Sequence, residues 1–576
     1  MKSNRLTHFL CAVVICLSAA VFMSNTPDKR NFGISKNIDI FNSLFKELDR
    51  YYVDTIKTDD IVQNGINMML SQLDPYTQYI PESEKSDFNT MTTGEYGGIG
   101  SIIQQRDNKV IISEPYEGMP AQQQDLRAGD VILSIDGESM LGKTVAQVSE
   151  KLKGAANTKL IIEIQREGVE KPIKKEITRK KILMNAVPYY GMITDSIGYI
   201  YLSNFTDKAA SEVREALLEL KKNANMKALV LDLRNNPGGI LEDAVQIVNY
   251  FVPKGKTVLS TRGKVTNWDR IYKTTQEPID TQLPLAILVN RGSASASEIV
   301  TGALQDLDRA VIIGERTFGK GLVQTTRPIA YNGMVKITTA KYYIPSGRLI
   351  QAIDYSNRNP DGSVGRIPDS LTHVFYTQNG RPVRDGGGIL PDFQISPQKY
   401  SNLLLYLSRD MLLFDFANQY ARKHNTIAPV KEFKLTDSDY ADFKAFVKSK
   451  NFTYDRQSVK ALQELKKIAE FEGYDKQAKA EFEALESKFT HDIDQDLDTF
   501  RPEIENMLTQ EIVRRYYYQK GEIIESLKSD KELDKAIAVL SSPEEYRKVL
   551  NPETKNAPQN NNTGKKTQTA NKNKKK

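Results

Sequence analysis

The residues best suited to chemistry lie in Val289-Asn290-Arg291-Gly292-Ser293-Ala294-Ser295-Ala296-Ser297-Glu298-Ile299-Val300. Here an apolar run passes into small residues and then into a helical pattern whose inner face would be Ile299, Val300, Ala303 and Leu304. A strand-to-helix turn of this kind exposes side chains and backbone N–H groups at a helix N-terminus, where the dipole favours developing negative charge. That suits a serine nucleophile. Serines are also favoured helix caps, and on local texture alone the cap is the commoner reading. A nucleophilic serine needs a base, and histidine is scarce. The chain holds only His8, His373, His424 and His491, none near this stretch, and no serine sits in a Gly-x-Ser-x-Gly elbow. A His-based triad would require long-range folding. Lysine can replace histidine when burial holds it neutral. Lys320, in Gly314-Glu315-Arg316-Thr317-Phe318-Gly319-Lys320-Gly321-Leu322-Val323-Gln324, is flanked by two glycines that would let the backbone approach other elements. Taken alone, it reads by default as a solvated turn lysine.

These residues need a frame. From about Asn185, short apolar runs (199–202, 228–233, 285–289) alternate with helical segments at 207–223 and 240–252, the pattern of βαβ units with strands buried on both faces. Upstream, Ile38, Phe41, Leu44, Phe45, Leu48 and Tyr52, then Ile61, Ile66, Met69, Leu70 and Leu73, recur at helical spacing, so 35–75 reads as two amphipathic helices ended by Asp74-Pro75. Between them, from Gly94, come short strands with Gly-rich turns and a helix over 145–152, enough for a small self-contained domain. Leu126, Val131, Ile132 and Ile135 read as its core. Residues 402–550 are charged and helix-rich.

At 576 residues the chain exceeds one core, and three or four domains are expected. Hydrophobic residues at 40% and charged ones at 26% argue against a disordered, collagenous or multi-span membrane chain. The formal charge of +6 belongs to the tail. Residues 551–576 hold seven lysines and one acid, leaving 72 basic side chains (79 less 7) and 72 acidic ones (73 less 1). Cys11 and Cys16, the two cysteines, both lie in the leader, so no disulfide framework or thiolate metal site is available downstream. That leader, a basic n-region followed by an apolar run from about Phe9 to Met23, reads as a secretory signal, with a retained N-terminal anchor as the alternative. A lipoprotein is disfavoured, because Ile15 precedes Cys16 where a lipidation site would have a small residue.

The stretches Gly292 to Glu298 and Thr317 to Gln324 resemble those of the C-terminal processing peptidases, the tail-specific serine proteases with a Ser–Lys dyad and a PDZ domain. So do Leu231-Asp232-Leu233-Arg234-Asn235-Asn236-Pro237-Gly238-Gly239, residues 337–348, Leu73-Asp74-Pro75-Tyr76, Gly97-Gly98-Ile99-Gly100 and Asp385 to Asp392, in family order across about 38–395. The resemblance implies a multidomain α/β protein. Its βαβ-type serine peptidase core (ClpP/crotonase-like) would carry an inserted PDZ domain, N-terminal helices and a helical C-terminal region. The expected boundaries are a signal peptide or anchor at 1–30, N-terminal helices at 31–92, PDZ at 93–181, peptidase at 182–398, a helical region at 399–550 and a disordered Lys/Asn-rich tail at 551–576. Carried over, the nucleophile falls on Ser295, the general base on Lys320 and the lysine-orienting residue on Gln324, neighbouring turns only if that segment is helical. The oxyanion donors fall on the amides of Gly239 and Ala296, with Gly238 as the alternative to Gly239.

By the same resemblance, Gly98, Ile99 and Gly100 form a loop that holds the terminal carboxylate of a peptide bound as an added strand. Arg127 reads either as a reporter of PDZ occupancy or as a solvated turn residue. No metal or organic cofactor is implied. The expected partners are protein or peptide C-termini as substrates, with membrane association through the N-terminal segment and oligomerisation both left open. Nucleic acid is not expected, since no aromatics interleave the tail lysines. The function so read is an exported, periplasmic serine endopeptidase, soluble or anchored, that cleaves tailed proteins. The alternative is a non-catalytic PDZ-based binding or assembly factor. For residues 399–550 the plainest reading is a scaffold or oligomerisation arm.

Overall fold

The computed structural model describes residues 29–359, 361–489 and 492–552. The expected leader, apart from its last two residues, lies outside them with His8, Cys11 and Cys16, as do His491 and the lysine-rich tail from residue 553. Two compact units divide the chain at residues 79 and 80. The first contains the two expected helices, α1 (Lys29–Tyr51) and α2 (Thr58–Ser71). Phe41 and Leu44 of α1 are more than half exposed. Beyond α2, the Asp74 carboxylate accepts the Tyr76 and Thr77 amides and the Thr77 hydroxyl, which turns the chain. Among the described residues no helix is long and apolar enough to cross a membrane.

In the second unit, β1 (Glu95–Gly98) leads into a small sheet and β7 (Lys180–Leu183) leads out, and the two pair antiparallel, so this module enters and leaves at one place. Its sheet runs β2 (Ser101–Arg106), β3 (Lys109–Pro115), β4 (Val131–Ile135), β5 (Lys159–Gln165), β6 (Ile173–Thr178), with β2 at the edge. The helix α3 (Val145–Leu152) starts from a Thr144–Gln147 capping box and buries Val148 and Leu152. Leu126, Ile132 and Ile135 are core residues here, as their pattern predicts, and Val131 is half-buried.

The larger sheet is ordered β8 (Tyr189–Met192), β9 (Ile197–Tyr201), β10 (Ala228–Asp232), β12 (Leu285–Val289), β13 (Val311–Gly314), β16 (Phe393–Gln394), parallel from β9 onward. The helices α4 (Ala209–Leu220), α5 (Leu241–Asn249) and α6 (Ala296–Asp306) make the crossovers. Right-handed crossovers between strands that step one way across a sheet all land on the same face. Leu229, Leu231, Leu285, Ile287 and Ile312 accordingly pack with these helices. The opposite face, carrying Tyr199, Val230, Ala286, Leu288 and Ile313, is covered by Leu533, Ala536, Val539, Leu540 and Tyr546. These belong to the last two helices of the chain, Lys531–Leu540 and Pro543–Leu550. A second sheet is built on β11 (Thr257–Gly263), β14 (Leu322–Pro328) and β15 (Met334–Tyr343), with β15 paired to both others. The remaining C-terminal helices form their own core around Leu407, Phe416, Phe443, Leu497 and Leu508.

Candidate active site

Strand β12 is buried along its whole length and α6 is buried on every side, so the turn between them is fixed at both ends. Within it Ser295 adopts φ 55°, ψ −112°, a strained conformation for a non-glycine residue of the sort found at functional turns. The three serines divide by role. Ser293 and Ser297 are fully buried, and their hydroxyls donate to the carbonyls of Leu233 (2.8 Å) and Asn236 (2.9 Å). Both tie the turn to the loop after β10. Ser295, the middle one, is partly exposed.

That loop, Arg234 to Gly239, presses on the serine turn. A Cβ on Gly238 (φ 96°) would lie 2.7 Å from the Ser295 Cβ and 2.8 Å from the Ala296 nitrogen, so only glycine fits. The Asn236 side chain folds the loop, donating to the Leu202 carbonyl (2.8 Å) and accepting the Gly238 amide (2.9 Å). Residues 238 and 240 bond to Phe205 on either side of Gly239, a parallel bridge that turns the Gly239 amide the other way. Among the described residues the Gly238 N–H is thus engaged, whereas no hydrogen bond runs from the N–H of Gly239 or Ala296. Gly239 and Ala296 thus differ from Gly238 in presenting an N–H with no acceptor among the described residues.

Glu298 joins the serine to the lysine. Its side chain is fully buried on the first turn of α6. Oε1 accepts the Thr317 hydroxyl (2.6 Å) and the Gly319 amide (2.6 Å), and Oε2 accepts the amides of both Ser295 and Lys320, each at 3.0 Å. Burial raises its pKa, against the pull of these four donors. No motif in the sequence assigns Glu298 these four contacts. The Ser295-x-x-Glu298 spacing of a capping box was the available signal, since it predicts a bond from the N-cap amide to the glutamate. Thr317, whose hydroxyl also accepts the Ile389 amide (2.7 Å), carried no comparable signal.

The glycines around Lys320 act as expected. At Gly319 (φ 84°) a Cβ would come within 2.4 Å of Ala352, and at Gly321 (φ 65°) within 2.6 Å of Gln351. Gln324 departs from the helical condition: it lies in β14, where its amide donates to the Thr338 hydroxyl of β15 at 3.1 Å. Leu322-Val323-Gln324-Thr325-Thr326 is rich in β-branched residues, which favours a strand. Of the described histidines, His373 is exposed and bonded to Asp385, and His424 stacks on Tyr420.

In the small module, Ile99 buries its side chain in the core, so a bound peptide could meet only its backbone. Its carbonyl and that of Gly100 accept the amides of Ala121 and Tyr116, while the N–H groups of Ile99 and Gly100 donate no hydrogen bond among the described residues. Gly98 closes β1, and Gly100 has φ 72° with Met119 packed where a Cβ would be. Arg127, more than half exposed, pairs with Asp125 (2.7 Å). It lines a cleft of about 430 Å³ shared with the C-terminal helices. None of the residues lining that cleft belongs to the Ser295 turn.

Three family models match the chain: peptidase family S41 over residues 196–361, a PDZ domain over 111–166, and the C-terminal helical domain of a probable PDZ-protease over 403–540. A carboxy-terminal-processing protease of Bartonella bacilliformis is 36% identical over 353 residues, 61% of this chain and 81% of the relative. A probable CtpA-like serine protease of Staphylococcus aureus is 34% identical over 345 residues, 59% of this chain and 68% of the relative. Among solved structures, a photosystem II D1 C-terminal processing protease is 28% identical, covering 62% of this chain and 92% of that one, with a TM-score of 0.34.

Proposed function

This chain belongs to peptidase family S41, the carboxy-terminal-processing proteases, and from that premise we propose that it is a Ser–Lys endopeptidase acting on the C-terminal tails of proteins. Ser295 is the nucleophile, Lys320 the general base and acid, and Gln324 the residue that orients the lysine. The observation that carries this reading is the shared Glu298 oxygen, which brings the Ser295 and Lys320 backbones together. The neutral Lys320 amine takes the Ser295 Oγ proton as Oγ attacks the scissile carbonyl. The resulting oxyanion is met by the amides of Gly239 and Ala296, each such donor being worth roughly 10²–10³ in rate. Collapse of the tetrahedral intermediate breaks the C–N bond, and the leaving amine takes the proton from Lys320. Water, deprotonated by the same lysine, then releases the acyl group from Ser295 and restores the enzyme.

The PDZ domain supplies the substrate. A tail adds as a strand to the free edge of β2, its carboxylate on the backbone of Gly98, Ile99 and Gly100. Purified Ser295→Ala and Lys320→Ala should each lose cleavage of a tailed substrate, by about 10³-fold or more, while keeping their melting transition and peptide affinity. Wild-type turnover in either variant would remove that residue from the dyad. Export through the leader accompanies this function, on the strength of its basic n-region and apolar run. N-terminal sequencing of the mature protein from cell fractions tests it, and an intact Met1 in the cytoplasmic fraction alone would refute export.

A further inference from the structure

An oxyanion donor works only if its loop is rigid, because the stabilisation depends on amides already aimed where charge will develop. The inner side of the Arg234–Gly239 loop is held by Asn236, Ser293 and Ser297. Its outer side is held by Arg234, whose partners are the neighbouring Asp232 and two carboxylates from a distant part of the chain.

The Arg234 guanidinium uses all three nitrogens. Nε donates to both oxygens of Asp232 (3.0 Å each) and Nη2 to Asp232 Oδ2 (2.5 Å). Nη1 and Nη2 also donate to Asp530, at 3.0 and 2.6 Å, and Nη1 lies 3.5 Å from Glu532. Asp232 is further fixed by the Tyr199 hydroxyl (2.7 Å) and by the Arg234 amide (2.9 Å). The arginine side chain is 17% exposed, Asp232 2% and Asp530 8%, so the pairs work with little solvent screening. Asp530 is also the N-cap of the helix Lys531–Leu540, its Oδ1 accepting the Leu533 amide at 2.9 Å. That helix is packed on the sheet that carries β10. One carboxylate therefore fixes both the start of a C-terminal helix and the start of the oxyanion loop. A bidentate arginine–carboxylate pair sets orientation as well as distance.

We propose that Arg234 and Asp530 form a clasp through which the last helices of the chain hold the oxyanion loop in its working geometry, Arg234 being a positioning residue for the Gly239 amide. This rests on Gly239 being an oxyanion donor. Asp530 is the cleaner position to change. Asn caps a helix as well as Asp does, so Asp530→Asn keeps the cap but loses the charge and presents an NH₂ to the guanidinium.

The test compares a tailed peptide substrate with its thioamide at the scissile bond, because sulfur is a poor acceptor for oxyanion-hole amides. The wild type should cleave the oxygen substrate much faster than the sulfur one. Asp530→Asn should lose about 10- to 100-fold in kcat on the oxygen substrate, with KM and PDZ-peptide affinity unchanged, and the oxygen-to-sulfur preference should shrink accordingly. Asp530→Glu should recover part of both. Arg234→Lys, which keeps the charge and loses the fork, should behave like Asp530→Asn. No oxygen preference in the wild type would overturn the oxyanion assignment and the clasp with it. A normal preference that survives intact in Asp530→Asn, whether kcat falls or not, would overturn the clasp alone.

Discussion

Glu298 makes no contact with solvent, yet four donors from two turns of the site converge on it. A carboxylate can accept all four. A glutamine presents one accepting oxygen and an NH₂ group, so Glu298→Gln leaves two donors facing another donor. Each buried group so stranded costs about 1–3 kcal/mol. Glu298→Gln should therefore lower stability by about 2–4 kcal/mol in urea denaturation and reduce kcat at least about 10-fold, because the serine and lysine turns lose their common anchor. PDZ-peptide affinity should not change. An active variant with a wild-type midpoint would show that the convergence of donors is incidental. At this scale the sequence spoke unevenly. Ser295 and Lys320 are marked by the motifs they share with the family, because their local texture alone reads as a helix cap and a turn lysine, whereas the loop glycines stand out by type and spacing. The duties of Ser293 and Ser297 do not, because their acceptors, the carbonyls of Leu233 and Asn236, lie about 60 positions away. Gln324 was placed by its motif, but its partner is a threonine on a neighbouring strand that no local spacing reveals.

At the scale of elements, the parallel sheet explains why the C-terminal helices are where they are. Its central strands, apolar but for Asp232, are buried along their whole length, which already requires a cover on both faces. The crossover rule gives one cover, α4, α5 and α6, from topology alone. The second was not legible, since the helix Lys531–Leu540 is amphipathic in the same way as its neighbours in the charged C-terminal stretch, and nothing local tells which core receives it. Leu533 is 3% exposed against that face, one turn from the Asp530 cap. Leu533→Ala should cost about 2–4 kcal/mol through lost transfer energy and the cavity left behind. Pulse proteolysis in urea should show the sheet and the last two helices losing protection together. Loss confined to residues 531–550, with the sheet unmoved, would mean that these helices are an appendage.

Across the whole molecule, the PDZ module and the C-terminal helices meet through a different kind of surface. Arg106 makes two bonds of 2.6 Å to Asp415, Arg422 reaches Glu167 at 3.1 Å, Gln122 bonds the Tyr518 hydroxyl at 2.9 Å, and Arg514 stands 3.6 Å from Glu114. These contacts surround the 430 Å³ cleft, and its lining is rich in charged and amide side chains. The sheet and the last two helices, by contrast, are sealed by apolar packing. Ion pairs at partly exposed positions weaken with salt, whereas apolar burial does not. The Arg106–Asp415 pair, bidentate and partly buried at 33% and 15% exposure, is the strongest single tie. Its contribution should be about 1–2 kcal/mol. Asp415→Asn, or raising salt from about 0.05 to 0.5 M, should increase amide hydrogen exchange in the strand Ser101–Arg106 and the helix Leu412–Lys423 by about 5- to 30-fold. Exchange in Leu285–Val289 should stay where it was. Equal protection of all three segments under both conditions would mean that the two parts are held by something other than these charges, and a rise in all three would mean that the molecule opens as one cooperative body.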